Sequence, residues 1–247
     1  IIFGTTFGYL DAMAEMAEEY PDVIFLHCSG YLKNDTNFGN YFGKMYQPRY
    51  LSGLAAGAMT ESNKIGYVAA FPIPEVIRGI NAFATGVKEV NPDATVEVVW
   101  TFTWFGPEAE TQAANALLET GVDVLAQHQD SPSTGIAAEA AGAKWISYNT
   151  AYGQDAAPGA FVTAPVWDWG PYYVQVVESI VNDEFVAEAY WGGMETGLVS
   201  LYELSSDVPA DTATLISERT EEIISGSFDP PIVEDEFIDN VIGTVNP

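Results

Sequence analysis

The stretch Lys64-Ile65-Gly66-Tyr67-Val68-Ala69-Ala70-Phe71-Pro72-Ile73-Pro74-Glu75-Val76-Ile77-Arg78-Gly79-Ile80-Asn81-Ala82-Phe83-Ala84 decides the fold. Its opening, 65–70, is a short continuous apolar run, as expected of a strand buried on both faces. Beyond the prolines, Ile77, Ile80, Phe83, Ala84 and Val87 recur at helical spacing and form one apolar stripe. Strand followed by helix is the unit from which parallel sheets are built.

Working outward toward the C-terminus, the same unit repeats. Asn91-Pro92-Asp93 marks a turn. Strands are expected at 96–101 and 122–127, helices at 108–120 and 133–142, and short strands at 144–148 and 160–164. This block, 64–164, makes a complete α/β domain with helices on both faces of a parallel sheet. Toward the N-terminus the pattern is thinner. A strand at 1–5, a helix carrying Leu10, Met13, Ala14 and Ala17, and a strand at 23–27 precede an aromatic, Gly- and Asn-rich loop at 29–46. A small-residue helix at 50–59 follows, in which Gly53 and Gly57 allow close packing. The tail adds helices at 171–181 and 210–225 and a strand at 197–202. Residues 1–63 together with about 165–247 are therefore expected to form a second lobe, with the chain crossing between lobes more than once. Two such lobes would close on a ligand between them. With so few strands in this lobe, an upstream β-α-β segment is expected to be missing.

Charge excludes one class of partner. The 247 residues carry 35 Asp+Glu against 8 Lys+Arg, a formal net charge of −27. No cationic footprint exists to displace counterions from a nucleic acid. With 48% hydrophobic residues the chain has a globular core. The acids fall on expected solvent faces, such as Glu15, Glu18 and Glu19, or Glu218, Glu221 and Glu222. Such a surface suits a medium of high salt, and a halophilic source is the expectation. No stretch reaches the ~18 apolar residues of a membrane span. The chain opens on Ile1-Ile2-Phe3 with neither signal peptide nor initiator Met, so it is read as mature, trimmed or truncated. Cys28 is alone, which excludes an internal disulfide.

Catalytic signatures are scarce. The phosphate-loop, dinucleotide, zinc-protease and nucleophile-elbow motifs are all missing. One Cys and two scattered histidines, His27 and His128, do not make a zinc site, and no Ca²⁺ loop appears. Neither metal nor cofactor is expected, and no enzymatic activity. A strand-end His is read as a structural hydrogen-bonder.

What stands out lies beyond the expected strand ends, where open α/β sheets bind ligands. These places hold Phe7 and Tyr9, Phe71, Trp104, Asp130 and Ser131, Asn149, and Trp167 and Trp169. Aromatics with a few amides, hydroxyls and carboxylates suit a flat, neutral, hydrogen-bonding ligand such as a purine. Phe7, Tyr9, Trp104 and Trp167 would stack on it or wall it, while Asp130, Ser131 and Asn149 would bond its edges. The same loops lack Lys and Arg, which disfavours a phosphorylated ligand.

Several of these stretches resemble the basic membrane protein (Bmp/Med) family: Phe7-Gly8-Tyr9, Ile65-Gly66-Tyr67-Val68, the run from Phe71 to Phe83, Gln127-His128-Gln129-Asp130-Ser131-Pro132, and Trp169-Gly170-Pro171-Tyr172-Tyr173. The 71–83 run is the most specific, and is similar to the branch associated with purine bases such as adenine. The resemblance implies a type I periplasmic-binding fold of two doubly wound lobes. It implies an extracytoplasmic solute-binding protein of an ABC importer, taking a purine base or nucleoside to a membrane permease. It also implies an N-terminal β-α-β unit and a lipid-anchoring Cys in a segment absent from this chain. At Tyr148-Asn149-Thr150-Ala151-Tyr152, relatives often carry an acidic residue near Ala151, so polar recognition here is expected to rest on Asn149. A ligand-binding sensor domain is the alternative role. A nucleoside hydrolase would need a Ca²⁺-holding carboxylate cluster, which the N-terminal segment does not show.

Overall fold

A computed structural model describes residues 1–243. In chain order the elements are β1 (Ile2–Gly4), α1 (Leu10–Glu19), β2 (Phe25–Cys28), β3 (Phe38–Gly43), α2 (Tyr46–Met59), β4 (Lys64–Ala69), α3 (Pro74–Val90), β5 (Thr95–Trp100), α4 (Pro107–Glu119) and β6 (Val124–Gln127). There follow α5 (Ser133–Ala141), β7 (Lys144–Ile146), α6 (Gly153–Ala156), β8 (Phe161–Thr163), β9 (Pro165–Trp167), α7 (Gly170–Val181), β10 (Ala189–Gly192), β11 (Val199–Leu201), α8 (Ala210–Ser225) and β12 (Val241–Ile242). No helix among the described residues is long and apolar enough to cross a membrane.

The chain divides into two compact units. The smaller comprises Ile1–Lys44 and Asp168–Leu198; the larger comprises Met45–Trp167 and the chain from Val199 onward. These limits differ from divisions at 63/64 and about 165, for a physical reason. α2 rests on α3, β12 extends the sheet of the larger unit, and α8 lies on α2. The C-terminal segment thus returns to the larger unit; its last four residues, 244–247, lie outside the described residues.

In the smaller unit four parallel strands run in the order β1-β2-β3-β10. The expected loop at 29–46 therefore contains a strand, and β10 is a further strand that the sequence pattern does not announce. Leu10, Met13 and Ala17 of α1 bury against Phe25 and Phe38, the face that their spacing marks out.

The larger unit holds a six-stranded parallel sheet in the order β12-β5-β4-β6-β7-β8, with β9 and β11 as a separate antiparallel pair. From β4 the chain steps outward to β5 and then returns to the other side of β4 with β6. Such a reversal opens a crevice at the carboxyl ends of the two diverging strands. α3 starts with Pro74 at its first turn and an acid, Glu75, beside the positive helix end, with Lys88 in its last turn. α2 and α3 meet backbone to backbone. A Cβ on Gly53 would stand 2.0 Å from the Phe83 carbonyl oxygen, and one on Gly86 would stand 2.1 Å from that of Tyr50. Only glycine permits that approach.

Candidate ligand-binding site

The crevice of the larger unit opens beyond β4, β5, β6 and β7. Beyond β4 lies Phe71, whose ring centre is 5.1 Å from that of Trp104 beyond β5. Trp104 stands 6.0 Å from the His128 ring beyond β6, and His128 stands 4.6 Å from Tyr148 beyond β7. Four strand ends thus contribute one aromatic row. The Asp130 N–H donates to the Trp104 carbonyl at 3.0 Å, tying the β5 and β6 loops together.

A polar chain crosses the same face. Trp167 Nε1–H donates to Asn149 Oδ1 at 3.0 Å, and Asn149 Nδ2–H donates to Asp130 Oδ1 at 2.6 Å. The first bond fixes which end of the amide meets Asp130. Asn149 has φ of 69°, a left-handed conformation that Asn tolerates. Burial pushes the Asp130 carboxyl upward, against the pull of His128 and the Asn149 amide. Below this chain is a pocket of about 110 Å³, bordered by Gln129, Asp130, Ser131, Tyr148, Asn149 and Tyr152 among others.

Most polar groups around the pocket are already engaged. Gln127 Nε2 donates to the Gln129 and Ser131 carbonyls, and its Oε1 accepts from Trp145 Nε1. Ser131 Oγ donates to the buried Glu110 at 2.5 Å and also accepts from the Ser133 N–H at 3.3 Å. Its hydroxyl is turned inward, beyond a simple helix cap. The pocket edge also carries the Asp130 carboxylate and the hydroxyls of Ser147, Tyr148 and Tyr152, and Gln129 Oε1 is buried without a partner among the described residues.

Behind the aromatic row lies a cation. Arg49 of α2 is fully buried. Its Nη1–H donates to the Gln127 carbonyl at 2.7 Å, and its guanidinium covers the Tyr148 ring at 3.8 Å and the Tyr67 ring at 5.6 Å. Among the described residues Arg49 Nε and Nη2, the Tyr67 hydroxyl and His128 Nδ1 are buried without partners. His128 Nε2 faces Glu75 Oε1 at 3.4 Å. Burial holds the imidazole below its usual range, with the Glu75 hydrogen bond in opposition. Burial likewise raises the Glu75 carboxyl, but His128, Arg78 and Arg49 outweigh it and the net direction is downward. Burial pushes the Tyr67 hydroxyl up to about 12.

Of the residues singled out in the sequence, Phe71, Trp104, Asp130, Ser131, Asn149 and Trp167 converge on this face. Phe7, Tyr9 and Trp169 belong to the smaller unit. Phe7 and Tyr9 sit on an exposed single turn whose Thr6 carbonyl meets His27 Nε2 at 3.0 Å. Trp169 packs on Tyr41 and Tyr173 at 5.4 and 6.3 Å. Sequence reasoning missed Arg49 and Glu75, noted Tyr148 beyond a strand end without giving it a role, and gave His128 a structural part. A signal for Arg49 existed: it is the lone cation in a helix of mainly small and apolar residues, where burial of a charge calls for a special environment. Among the described residues no group of three or more His, Cys, Asp or Glu side chains could hold a metal.

Residues 1–229 match the family model of PnrA-like ABC transporter substrate-binding proteins. The chain belongs to this family. It is 46% identical over 229 residues to a Haloferax volcanii protein that bears the name of an ABC transporter glucose-binding protein, covering 93% of this chain and 58% of that one. It is 37% identical over 235 residues to a purine-binding protein of Brucella abortus, covering 93% and 65%. The chain thus spans less than two thirds of the length of these two relatives. Among solved structures, an ABC transporter solute-binding protein from Conexibacter woesei superimposes with a TM-score of 0.73 at 22% identity, covering 93% of this chain and 79% of that one. A second, from Aeropyrum pernix, gives 0.79 at 17% identity, covering 94% and 78%. The fold is that of the type I periplasmic-binding proteins.

Proposed function

We propose that the protein is the extracytoplasmic solute-binding component of an ABC importer and that it takes a purine base or nucleoside for delivery to a membrane permease. The observation that carries the ligand class is the Trp167–Asn149–Asp130 chain set beside the Phe71–Trp104 ring pair. Rings favour a flat solute. A carboxylate at the pocket edge favours one whose own edge bears N–H donors, as a purine edge does. Among the described residues no Lys or Arg lines the pocket, and the Arg49 guanidinium lies over the Tyr148 ring. That lining supports a neutral ligand over a phosphorylated one. The name of the Brucella relative supports the same reading. The same proposal has the protein bind without turnover and held at the membrane by a lipid anchor. The acidic surface supports life at high salt.

A hexose is the second reading, favoured by the name of the Haloferax relative. Calorimetric titration with adenine, hypoxanthine, guanosine, riboflavin and glucose separates the two. Heat from adenine or another purine is the expected result. Heat from glucose alone would select the hexose, and silence from every purine would overturn the proposal.

A further inference from the structure

We infer that Phe102 is an additional ligand-stacking residue, presented to the solute by a left-handed backbone. Its φ is 55°. The other described non-glycine residues with positive φ are Ser29, Asn63, Asn149 and Asp183, all small and polar. Asn and Asp commonly adopt this conformation; a bulky ring does so only when its surroundings impose it.

Here they do impose it, from two neighbouring strands. The Thr101 and Phe102 N–H groups donate to the Ala69 and Ala70 carbonyls at 2.8 and 2.9 Å, carrying the β4–β5 ladder past the strand end. Thr101 Oγ1 lies 3.2 Å from the Ala69 carbonyl and 3.1 Å from that of Thr103, and it accepts from Gln129 Nε2 at 2.6 Å. The turn is clamped on both sides of residue 102.

Core packing gives no reason for a ring at this position, because Phe102 is 48% exposed. Its ring partner is Phe71, edge-on at 6.4 Å, and Phe71 is the residue that pairs with Trp104. A half-exposed ring on a left-handed backbone is therefore added to the edge of the Phe71–Trp104 pair. A flat solute lying on Phe71 and Trp104 would cover it. Glycine or asparagine would satisfy the turn more easily, so what phenylalanine adds is the face of its ring.

This inference rests on the purine reading, and the test separates the two. Phe102→Asn keeps a residue that accepts the left-handed conformation and removes the ring; Phe102→Trp keeps a ring. Each is melted without ligand and titrated with adenine beside the unsubstituted protein. The expected result for Phe102→Asn is a melting temperature within about 3 °C of the parent or above it, with adenine affinity reduced about tenfold. Phe102→Trp should lie within about threefold of the parent affinity. Parent affinity in Phe102→Asn would overturn the inference and leave the purine reading intact. A fall in melting temperature of more than about 5 °C together with the affinity loss would make the ring structural, again overturning it. No adenine heat in the parent would overturn the purine reading and the stacking role with it.

Discussion

The guanidinium carbon of Arg49 lies 3.8 Å from the centre of the Tyr148 ring, and both side chains are buried. A cation over a ring in a dry setting is a strong contact, worth ~2 kcal/mol where it is fully desolvated. Arg49 also keeps the Gln127 carbonyl bonded and shares a buried cluster with the Glu75 carboxylate. Arg49→Ala would leave a cavity and remove a charge that the cluster is built around. The expected cost is about 3 kcal/mol or more, measured by urea denaturation. Arg49→Lys should recover only part of it, since an ammonium cannot lie flat on a ring. A cost below about 1 kcal/mol for alanine would show that the cluster does not depend on the cation.

Asp130 is expected to trade stability for binding. Its folded-state pKa is raised, chiefly by burial, so the folded protein holds the charged form less readily than the unfolded chain does. The penalty is absent below the unfolded value near 3.8 and complete above the folded one. Asp130→Asn removes it, so the ligand-free protein should melt no lower at pH 7. The same change removes a charged acceptor from the pocket edge, and adenine affinity should fall about tenfold to a hundredfold. A variant that binds adenine as well as the parent would remove Asp130 from the recognition surface.

The sign for His128 is also fixed. Its folded pKa is depressed by burial in the company of Arg49, Glu75 and Asp130. The unfolded chain takes up a proton as pH falls through about 6.5, while the folded protein does not. Stability from this group is complete above pH 6.5 and declines below it, toward the folded value. His128→Gln should therefore flatten the loss of unfolding free energy between pH 7.5 and pH 5. Parallel curves for the two proteins would contradict this.

Gly53→Ala tests the α2–α3 contact. The added methyl would meet the Phe83 carbonyl oxygen at 2.0 Å, and main chain yields less readily than a side chain. The expected cost is about 2–3 kcal/mol, despite the better helix propensity of alanine. Guanidinium denaturation measures it, and a stabilised variant would mean that the helices can separate without penalty.

The charge of −27 predicts a salt response. Screening shortens from about 10 Å at 0.1 M to about 3 Å at 1 M salt, which weakens repulsion between acids. Each kcal/mol relieved raises the melting temperature by about 2–4 °C in a chain of this size. A rise of about 5 °C between 0.1 and 1 M NaCl is expected on that scale. A melting curve indifferent to salt would argue against self-repulsion.

Much of the larger unit is legible in the sequence because its strands are buried on both faces and its helices on one. Ile77, Ile80, Phe83, Ala84 and Val87 are all buried, as their spacing requires. β3 is not legible for the converse reason. Phe38-Gly39-Asn40-Tyr41-Phe42-Gly43 carries turn residues, and it becomes a strand because β2 and β10 flank it. Pairing overrides local preference there. The helix expected from residue 50 begins at Tyr46, because Pro48 falls in the first turn, where a missing N–H costs nothing. That early start is what places Arg49 inside the helix and beneath the site. Phe71, Trp104, Asp130 and Asn149 were found from their positions after strands. Arg49 and Glu75 come from helices, and no rule about strand ends could reach them.

The contact of Gly53 with Phe83 and of Gly86 with Tyr50 joins two helices through their main chains. Arg49 rides on one of these helices and Glu75 on the other, so their registry depends little on which side chains surround them. Trp104, Phe105, Thr150 and Tyr152 lie on loops outside both helices. A library confined to those loops could explore new solute preferences while leaving the frame untouched, which makes the chain a starting point for engineered small-molecule reporters.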